Sequence, residues 1–209
     1  AEGNFIESYY LVGLLARHLL ARYPGGKVLH DVRLTWNTID MVQAAGGVPV
    51  RNKTGHAFMK EAMRREGAVY GGEMSAHHYF MDFNHCDSGM LPWLKILEIL
   101  EKTGRDLGGL VLERIGAFPC SGEINFRVKD AQDCMERIRS FYALEIAAED
   151  HLDGLSADCG QWRFNLRSSN TEPLLRLNVE SRGSLALMSD KTSQLEELIA
   201  QCGGEKTNA

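Results

Sequence analysis

The 209-residue sequence has few cysteines and no long apolar run. Its five cysteines, an odd number at scattered spacings, include no Cys-x-x-Cys pair, so a disulfide-rich scaffold is excluded and we expect reduced thiols. No stretch reaches the roughly 18 uninterrupted apolar residues of a membrane span. The first ten residues carry two glutamates and lack the pattern of a secretory signal. The sequence therefore predicts a cytoplasmic protein without a membrane partner.

The sequence also has fewer basic than acidic side chains. The chain has 23 Lys and Arg against 28 Asp and Glu, which gives a formal net charge of −5. This balance disfavours binding to a phosphate backbone, so we expect no nucleic-acid partner. With 44% hydrophobic and 24% charged residues the composition is that of a globular protein. A chain of this length can bury a full core in one large domain or two small ones.

Short apolar runs alternate with amphipathic segments in residues 1–104. The spacing of apolar residues predicts helices over 7–22, 35–45, 56–66 and 90–102, and strands over 27–31, 48–51 and 68–70. A polar loop is expected from 73 to 88. Strands that alternate with helices of this length are typical of an α/β domain, in which helices flank a mainly parallel sheet.

Residues 105–209 follow a different pattern. Helices are predicted over 107–114, 131–144 and 189–201, and strands over 123–128, 152–157, 161–166 and 174–179. The loops between the last three strands are too short for helical crossovers, which favours an antiparallel sheet with helices on one face. We therefore predict a smaller α+β domain, with the domain boundary between residues 104 and 105.

A first polar loop follows the predicted strand at 68–70. The glycine pair at 71–72 would let the backbone turn at the carboxyl edge of the sheet, where ligands bind in open α/β sheets. Glu73, Ser75 and His77 can project from this turn. A carboxylate, a hydroxyl and an imidazole match the donors and acceptors of vicinal sugar hydroxyls. The alternative is an ordinary polar surface loop.

Two further loops have the composition of anion sites. In Lys53-Thr54-Gly55-His56, a glycine and a helix N-terminus offer free N–H groups and Lys53 adds a charge; the alternative is a plain helix start capped by Thr54. The loop Arg-Ser-Ser-Asn-Thr-Glu-Pro at 167–173 combines a guanidinium with hydroxyls, an amide and backbone N–H groups. Such a set holds a phosphate, and Arg176 could supply a second cation. The alternative is a turn stabilised by its own side chains.

Other chemistries have weaker support. The six potential metal ligands between residues 77 and 87 contain no helical His-x-x-x-His or Cys-x-x-Cys pair, although a zinc hydrolase remains an alternative. The sequence has no Gly-x-Ser-x-Gly, Gly-x-Gly-x-x-Gly or P-loop motif, which argues against a serine hydrolase and against nucleotide sites with a local signature.

The polar loops, in this order, resemble the C-terminal half of the α-D-phosphohexomutases, and most closely the bacterial phosphomannomutases. The matching segments are Lys-Thr-Gly-His at 53–56, Gly-Glu-Met-Ser-Ala-His-His-Tyr-Phe at 72–80, Asp-Ser-Gly-Met at 87–90, Ser-Gly-Glu-Ile-Asn at 121–125, and Trp-Arg-Phe-Asn-Leu-Arg-Ser-Ser-Asn-Thr-Glu-Pro at 162–173. The resemblance covers nearly the whole chain. It implies that residues 1–104 are a sugar-recognition domain like domain 3 of the family and that residues 105–209 are a phosphate-binding domain like domain 4.

The resemblance implies an enzyme of four domains that interconverts mannose 6-phosphate and mannose 1-phosphate. A phosphoserine in domain 1 exchanges its phosphoryl group with the sugar through a bisphosphosugar, and domain 2 binds Mg²⁺. His56 would lie near the reacting centre, and Arg33 stands where many relatives have a lysine, keeping the charge but not the shape. Taken with the residue chemistry above, the predicted substrate-binding residues are Lys53, Glu73, Ser75, His77, Arg167, Ser169, Asn170, Thr171 and Arg176.

Two loops of the family are missing from these 209 residues. Neither the Ser-His-Asn-Pro serine loop nor the Asp-Gly-Asp-x-Asp-Arg metal loop is present. Phosphoryl transfer depends on positioned groups and a metal ion, so we expect the chain alone to be inactive as a mutase. Its partners would be a hexose phosphate and the missing N-terminal domains 1 and 2, which would supply the nucleophilic serine and the Mg²⁺ ligands. The alternative is a stand-alone module that binds hexose phosphates without turnover.

Overall fold

The computed structural model describes residues 3–169 and 172–207. The chain forms two compact units, Ala1–Ile115 and Gly116–Ala209. All five cysteines lie among the described residues and form no disulfide. In this part of the chain, no helix has both the length and the apolar character needed to cross a membrane.

The first unit is a five-stranded sheet flanked by helices. Its strands are β1 (Lys27–Asp31), β2 (Val48–Asn52), β3 (Tyr70–Gly72), β4 (His78–Phe80) and β5 (Cys86–Asp87), in the order β2-β1-β3-β4-β5. Its helices are α1 (Ser8–Leu20), α2 (Trp36–Ala44), α3 (His56–Glu66), α4 (Met90–Thr103) and α5 (Leu107–Ala117), with a 3-10 turn at Met81–Phe83. β1 pairs in parallel with β2 and β3, whereas β4 and β5 are antiparallel. The α/β prediction is confirmed.

The loop predicted from 73 to 88 contains two short strands instead. β3 and β4 form a hairpin, in which the Glu73 N–H donates to the His77 carbonyl at 2.9 Å. Ala76 completes the turn with a φ of 65°. Strands of two or three residues are too short to show an alternating pattern, so the sequence contained no periodic signal for them.

The glycine pair lies within β3 and not in a turn. A Cβ at Gly71 would come within 2.9 Å of the Met63 sulfur in α3, and a Cβ at Gly72 would come within 2.6 Å of Val12 in α1. The two glycines therefore permit helices to pack closely on both faces of the sheet, which is a common use of glycine inside a strand. The expected tight turn at 71–72 is wrong, but the loop that follows still leaves the sheet at the carboxyl edge.

The division between the units falls after Ile115, whereas the sequence suggested 104/105. Helix α5 packs with the first unit because Arg114 binds α2. Its Nε donates to Asn37 Oδ1 at 2.7 Å, and its terminal nitrogen donates to Asp40 at 2.6 Å. The Thr-Gly pair at 103–104 that suggested the boundary ends α4 within the first unit.

The second unit is a six-stranded antiparallel sheet with helices on one face. Its strands are β6 (Ile124–Arg127), β7 (Ala148–Asp150), β8 (Leu155–Asp158), β9 (Trp162–Ser168), β10 (Leu174–Ser181) and β11 (Glu205–Thr207), in the order β11-β6-β10-β9-β8-β7. Its helices are α6 (Ala131–Phe141) and α7 (Leu185–Gln201). The α+β prediction is confirmed, although β7 and β11 were not predicted.

Strands β9 and β10 separate apolar and polar side chains by face. Trp162, Phe164 and Leu166 alternate along β9 and are buried in one core with residues of α6 and α7. Because successive side chains of a strand point to opposite faces, the intervening residues lie on the other face. That face carries Arg163, Asn165, Arg167, Arg176, Asn178 and Glu180. The amphipathic pattern thus gives the sheet a polar face on the side away from the helices, with Arg167 and Arg176 partly exposed and the other four residues buried.

Candidate functional site

Three loops meet at the carboxyl ends of β1, β2 and β3. We call residues 31–33, 53–56 and 73–77 the loop edge. Parallel strands place their carboxyl ends at the same edge of a sheet, so residues that follow them in sequence become neighbours. Hydrogen bonds join the loops directly: Arg33 donates to Ser75 Oγ at 3.3 Å, and the Gly55 N–H donates to Glu73 Oε1 at 2.8 Å. The structure thus brings together residues from all three segments that the sequence singled out here.

Arg33 is held by a buried carboxylate. Its Nε and a terminal nitrogen donate to Asp31 Oδ2 at 3.1 and 2.6 Å, and the Met74 N–H donates to the same oxygen at 2.8 Å. Burial by itself would raise the pKa of Asp31, but the Arg33 charge and these hydrogen bonds outweigh it and lower the pKa. Asp31 therefore stays ionised, and the pair fixes the guanidinium beside Ser75. Sequence reasoning named Arg33 but missed Asp31. An acid two residues before an arginine could have suggested the ion pair.

Glu73 lies at the centre of the loop edge and is only 3% exposed. One carboxylate oxygen accepts from the Gly55 N–H, and the other accepts from the Tyr79 hydroxyl at 2.6 Å. Burial and this hydrogen bond raise the pKa of Tyr79, which keeps its proton on the hydroxyl. A carboxylate has about four acceptor positions, so Glu73 retains acceptor capacity for a ligand hydroxyl. Tyr79 was not identified from the sequence.

Ser75 and His77 are exposed neighbours on the hairpin turn. The Ser75 hydroxyl lies 3.2 Å from His77 Nδ1. These two side chains and the Arg33 guanidinium form a connected polar set in which the hydroxyl can both donate and accept. A hydroxyl that both donates and accepts, next to an imidazole and a guanidinium, has the chemistry needed to bind vicinal hydroxyls.

Lys53 and His56 flank the start of α3. The Lys53 ammonium lies 5.1 Å from the centroid of the Phe58 ring, a cation–π contact with the first turn of α3. His56 is the first residue of α3 and is exposed. Both lie next to the Gly55 N–H that binds Glu73, so they belong to the loop edge by position.

In the second unit, two arginines lie side by side. Arg167 and Arg176 are register partners on β9 and β10. The Glu123 carboxylate bridges them, with Oε2 3.3 Å from an Arg167 terminal nitrogen and Oε1 3.3 Å from an Arg176 terminal nitrogen. We call Arg167 and Arg176 the arginine pair. Sequence reasoning predicted both cations but assigned no role to Glu123.

Ser169 begins the loop that follows β9. Its N–H donates to the Leu174 carbonyl at 2.8 Å, and the Leu174 N–H donates to the Glu172 carbonyl at 2.7 Å. These bonds attach Ser169 and Glu172 to Leu174 at the end of the β9–β10 ladder. The two remaining predicted residues, Asn170 and Thr171, lie outside the described residues.

The described residues contain no group of three or more His, Cys, Asp or Glu side chains placed to hold a metal ion. Members of the cluster at 77–87 bind other partners: Asp82 accepts from the Tyr23 hydroxyl at 2.7 Å, and Asp87 lies 3.1 Å from the Lys60 ammonium. The zinc alternative therefore has no ligand set in the described part of the chain. The same holds for the Mg²⁺ that the resemblance implies for a longer enzyme.

A separate cleft of about 520 Å³ opens between α1 and α4, and the predicted site residues are not among its lining residues. Its wall contains Leu19, Phe80 and Leu91, and charged side chains form its rim. Several of these charges are paired, as in the contact of the Lys95 ammonium with Glu98 at 2.9 Å.

Family models match both units. The model described as phosphoglucomutase/phosphomannomutase, alpha/beta/alpha domain III, matches residues 7–118, and the model of the C-terminal domain of the same family matches residues 123–197. The chain belongs to the phosphoglucomutase/phosphomannomutase family. The order of the two matches confirms the resemblance to the C-terminal half of these mutases.

Curated relatives of this phosphoglucomutase/phosphomannomutase chain extend well beyond it. It is 61% identical over 197 residues to the phosphohexose mutases of Xanthomonas campestris pv. campestris (strain B100), covering 94% of this chain and 44% of the relative. It is 54% identical over 198 residues to the phosphomannomutase of Escherichia coli K12, covering 95% of this chain and 43% of the relative. The chain thus spans less than half the length of these relatives.

Solved structures share the fold. A phosphoglucomutase/phosphomannomutase family protein from Burkholderia thailandensis is 29% identical, with a TM-score of 0.80 over 98% of this chain and 44% of that structure. The open form of the Paramecium phosphoglucomutase parafusin is 13% identical, with a TM-score of 0.71 over 98% of this chain and 43% of that structure. The second likeness shows the fold alone.

Proposed function

We propose that this chain is the sugar- and phosphate-recognition half of a phosphomannomutase that interconverts mannose 6-phosphate and mannose 1-phosphate. The observation that carries the proposal is the meeting of three motif-bearing loops at one sheet edge, in a chain 54% identical to a phosphomannomutase. We place the reaction in the cytoplasm, where five thiols without a disulfide would remain reduced.

In this proposal the loop edge binds the sugar. Glu73 accepts from a sugar hydroxyl with the lone pairs that Gly55 and Tyr79 leave, while Ser75 and His77 supply groups that both donate and accept. Lys53, His56 and Arg33 lie around these groups and would face the reacting end of the substrate. The buried carboxylate of Asp31 keeps the Arg33 guanidinium in a fixed orientation.

The second unit would hold the phosphate group. The arginine pair supplies two cations, and Ser169, Asn170 and Thr171 add neutral donors from the adjoining loop. Charge-assisted hydrogen bonds from guanidinium to phosphate are among the stronger polar contacts in proteins. The nucleophilic serine and the Mg²⁺ ligands would come from N-terminal domains 1 and 2 of a longer protein. Without them this half recognises its ligand but does not transfer the phosphoryl group.

A second candidate is a stand-alone module that binds a hexose phosphate without turnover. It needs only the recognition loops that this sequence contains. Both candidates predict ligand binding, and they differ in whether the missing half restores mutase activity.

The test is calorimetric titration of the 209-residue chain with mannose 1-phosphate and with inorganic phosphate. We expect Arg167→Ala to weaken the binding of both by about 1.5 to 3 kcal/mol, the value of a hydrogen bond to a charged group. This corresponds to a loss of affinity of roughly ten- to a hundredfold.

Arg137→Ala is the matched control. Arg137 lies on α6, on the opposite face of the sheet, and a terminal nitrogen of its guanidinium is 4.0 Å from the Asp133 carboxylate. The variant loses the same charge and should bind like the parent. Equal affinity of parent and Arg167→Ala, or equal losses in both variants, would exclude Arg167 as a phosphate ligand.

A further inference from the structure

The arginine pair presents an electrostatic problem in the second unit. Arg167 and Arg176 face each other across β9 and β10, and like charges directly opposite each other in a sheet repel. Both side chains are largely buried, with exposed fractions of 12% and 26%, so water screens this repulsion only partly. A neighbouring negative charge is needed to hold the two guanidiniums together.

The Glu123 carboxylate supplies this negative charge between the two guanidiniums. Each of its carboxylate oxygens lies 3.3 Å from a different guanidinium, so a single acid contacts both cations. The trio keeps a net charge of one positive unit. The Nε atoms of both arginines are buried and have no partner among the described residues. An unpaired buried donor is unfavourable, and the residual positive charge of the trio favours the binding of a further anion at the exposed ends of the guanidiniums.

The backbone before β6 fixes the position of Glu123. The Ser121 N–H donates to the Val179 carbonyl at 2.9 Å, and the Ser121 hydroxyl accepts from the Val179 N–H at 2.9 Å. The next carbonyl, that of Gly122, accepts from Asn178 Nδ2 at 2.8 Å. The segment Ser-Gly-Glu at 121–123 is thus attached to β10 immediately beside the arginine pair. This accounts for a motif that the proposed function left without a role.

We infer that Glu123 is a positioning residue for the phosphate site: it holds Arg167 and Arg176 side by side so that one phosphate group can bind both. The inference rests on the proposed function for its ligand, but the arrangement of the three side chains stands independently of it. Glu123 acts through the arginines and does not itself contact the phosphate.

The test compares the parent chain with Glu123→Gln, which keeps the shape of the side chain but removes its charge. The first readout is ¹⁵N relaxation of the arginine Nε–H groups by NMR. We expect the Nε–H groups of Arg167 and Arg176 to become more mobile in this variant. The second readout is titration with inorganic phosphate, whose affinity should fall roughly fivefold, as for the loss of one ordinary hydrogen bond.

Glu149→Gln is the control, because Glu149 accepts from Arg139 Nε at 2.9 Å elsewhere in the same unit. It should loosen Arg139 and leave the arginine pair and phosphate affinity unchanged. Unchanged Nε–H mobility of the pair in Glu123→Gln would overturn the inference, as would phosphate affinity that stays equal or increases. If the parent binds no phosphate, the proposed phosphate site is wrong, and the mobility of the pair still decides whether Glu123 positions it.

Discussion

His78 is a buried imidazole at the start of β4. Its Nδ1 lies 2.7 Å from the Tyr70 hydroxyl and its Nε2 lies 3.5 Å from the Ser8 hydroxyl. Burial, together with the nearby charge of His77, lowers the pKa of His78 to about 4. The Ser8 hydroxyl also donates to the Glu73 carbonyl at 3.3 Å, so these groups connect α1 to the loop edge. His78 is therefore a neutral structural residue beside the exposed His77.

The low pKa of His78 predicts a pH-dependent stability. The unfolded chain binds a proton at His78 below a pH of about 6.5, whereas the folded chain does so only near 4, so stability falls as the pH decreases through this range. Between pH 7 and pH 5 the contribution is a loss of about 2 kcal/mol. Urea unfolding at the two pH values measures it, and His78→Gln should show a smaller loss. An equal loss in both proteins would contradict the prediction.

At the residue scale, the sequence analysis named Arg33, Glu73, Ser75 and His77 at the loop edge and missed Tyr79, which donates to Glu73. Arg33, Ser75 and His77 form a connected set, as their loops suggested. Tyr79 could not be found, because its contact with Glu73 depends on the register that pairs it with Gly71 across the hairpin. Contacts set by strand register have no local sequence signal.

Gly154 determines how strand β8 enters the sheet. Its φ is 77°, and an added Cβ would lie 2.8 Å from the Arg167 Cα and still closer to the Leu166 carbonyl. We expect Gly154→Ala to destabilise the chain for two reasons. The left-handed backbone costs about 1 to 2 kcal/mol for a residue with a Cβ, and forcing β9 aside adds about 1 to 3 kcal/mol. Thermal unfolding measures the sum.

Gly160→Ala separates these two contributions. Gly160 has a φ of 80° and nothing within 4 Å of an added Cβ, so its variant should show only the backbone cost. Gly154→Ala should also shift the amide NMR signals around Arg167, because its backbone must move. Equal destabilisation by the two substitutions would mean that the contact with β9 is not what constrains Gly154.

The ends of helices and strands were predicted best where glycine or a capping residue marks them in the sequence. Helix α3 and strand β1 have the predicted bounds, and glycines stand on both sides of α3 at 55 and 67. Helix α7 starts at Leu185, earlier than the predicted 189, because the Ser184 side chain caps it by accepting from the Leu187 N–H at 3.2 Å. That capping signal was present in the sequence. The three-residue strands β7 and β11 form only because longer neighbours pair with them.

At the scale of the whole molecule, each unit has its own hydrophobic interior. The first packs α3 against the sheet around Leu29 and Met59, and the second packs α6 and α7 against β9 and β10. Separate cores of this kind are what allow domains to fold as individual units. The isolated chain should therefore fold, and its binding and activity can be measured without the additional domains of its longer relatives.

The purified chain should show no mutase turnover. Under the proposed function this chain supplies recognition but no phosphoryl donor, and phosphoryl transfer requires positioned reacting groups together with a metal ion. A coupled assay for the conversion of mannose 1-phosphate into mannose 6-phosphate measures this directly. Adding the N-terminal portion of the Escherichia coli K12 relative, which this chain does not match, tests whether the missing half restores activity.

The Arg167→Ala variant makes this assay decisive. Turnover by the parent alone that disappears in Arg167→Ala would belong to this chain and would contradict the prediction, whereas turnover equal in both would come from a contaminating mutase. Activity that appears only on adding the second portion would favour the half-enzyme over the stand-alone module. Under the proposed function, one sugar phosphate molecule must reach both the arginine pair and the phosphoserine, so only a protein that brings the two halves together would complete the reaction.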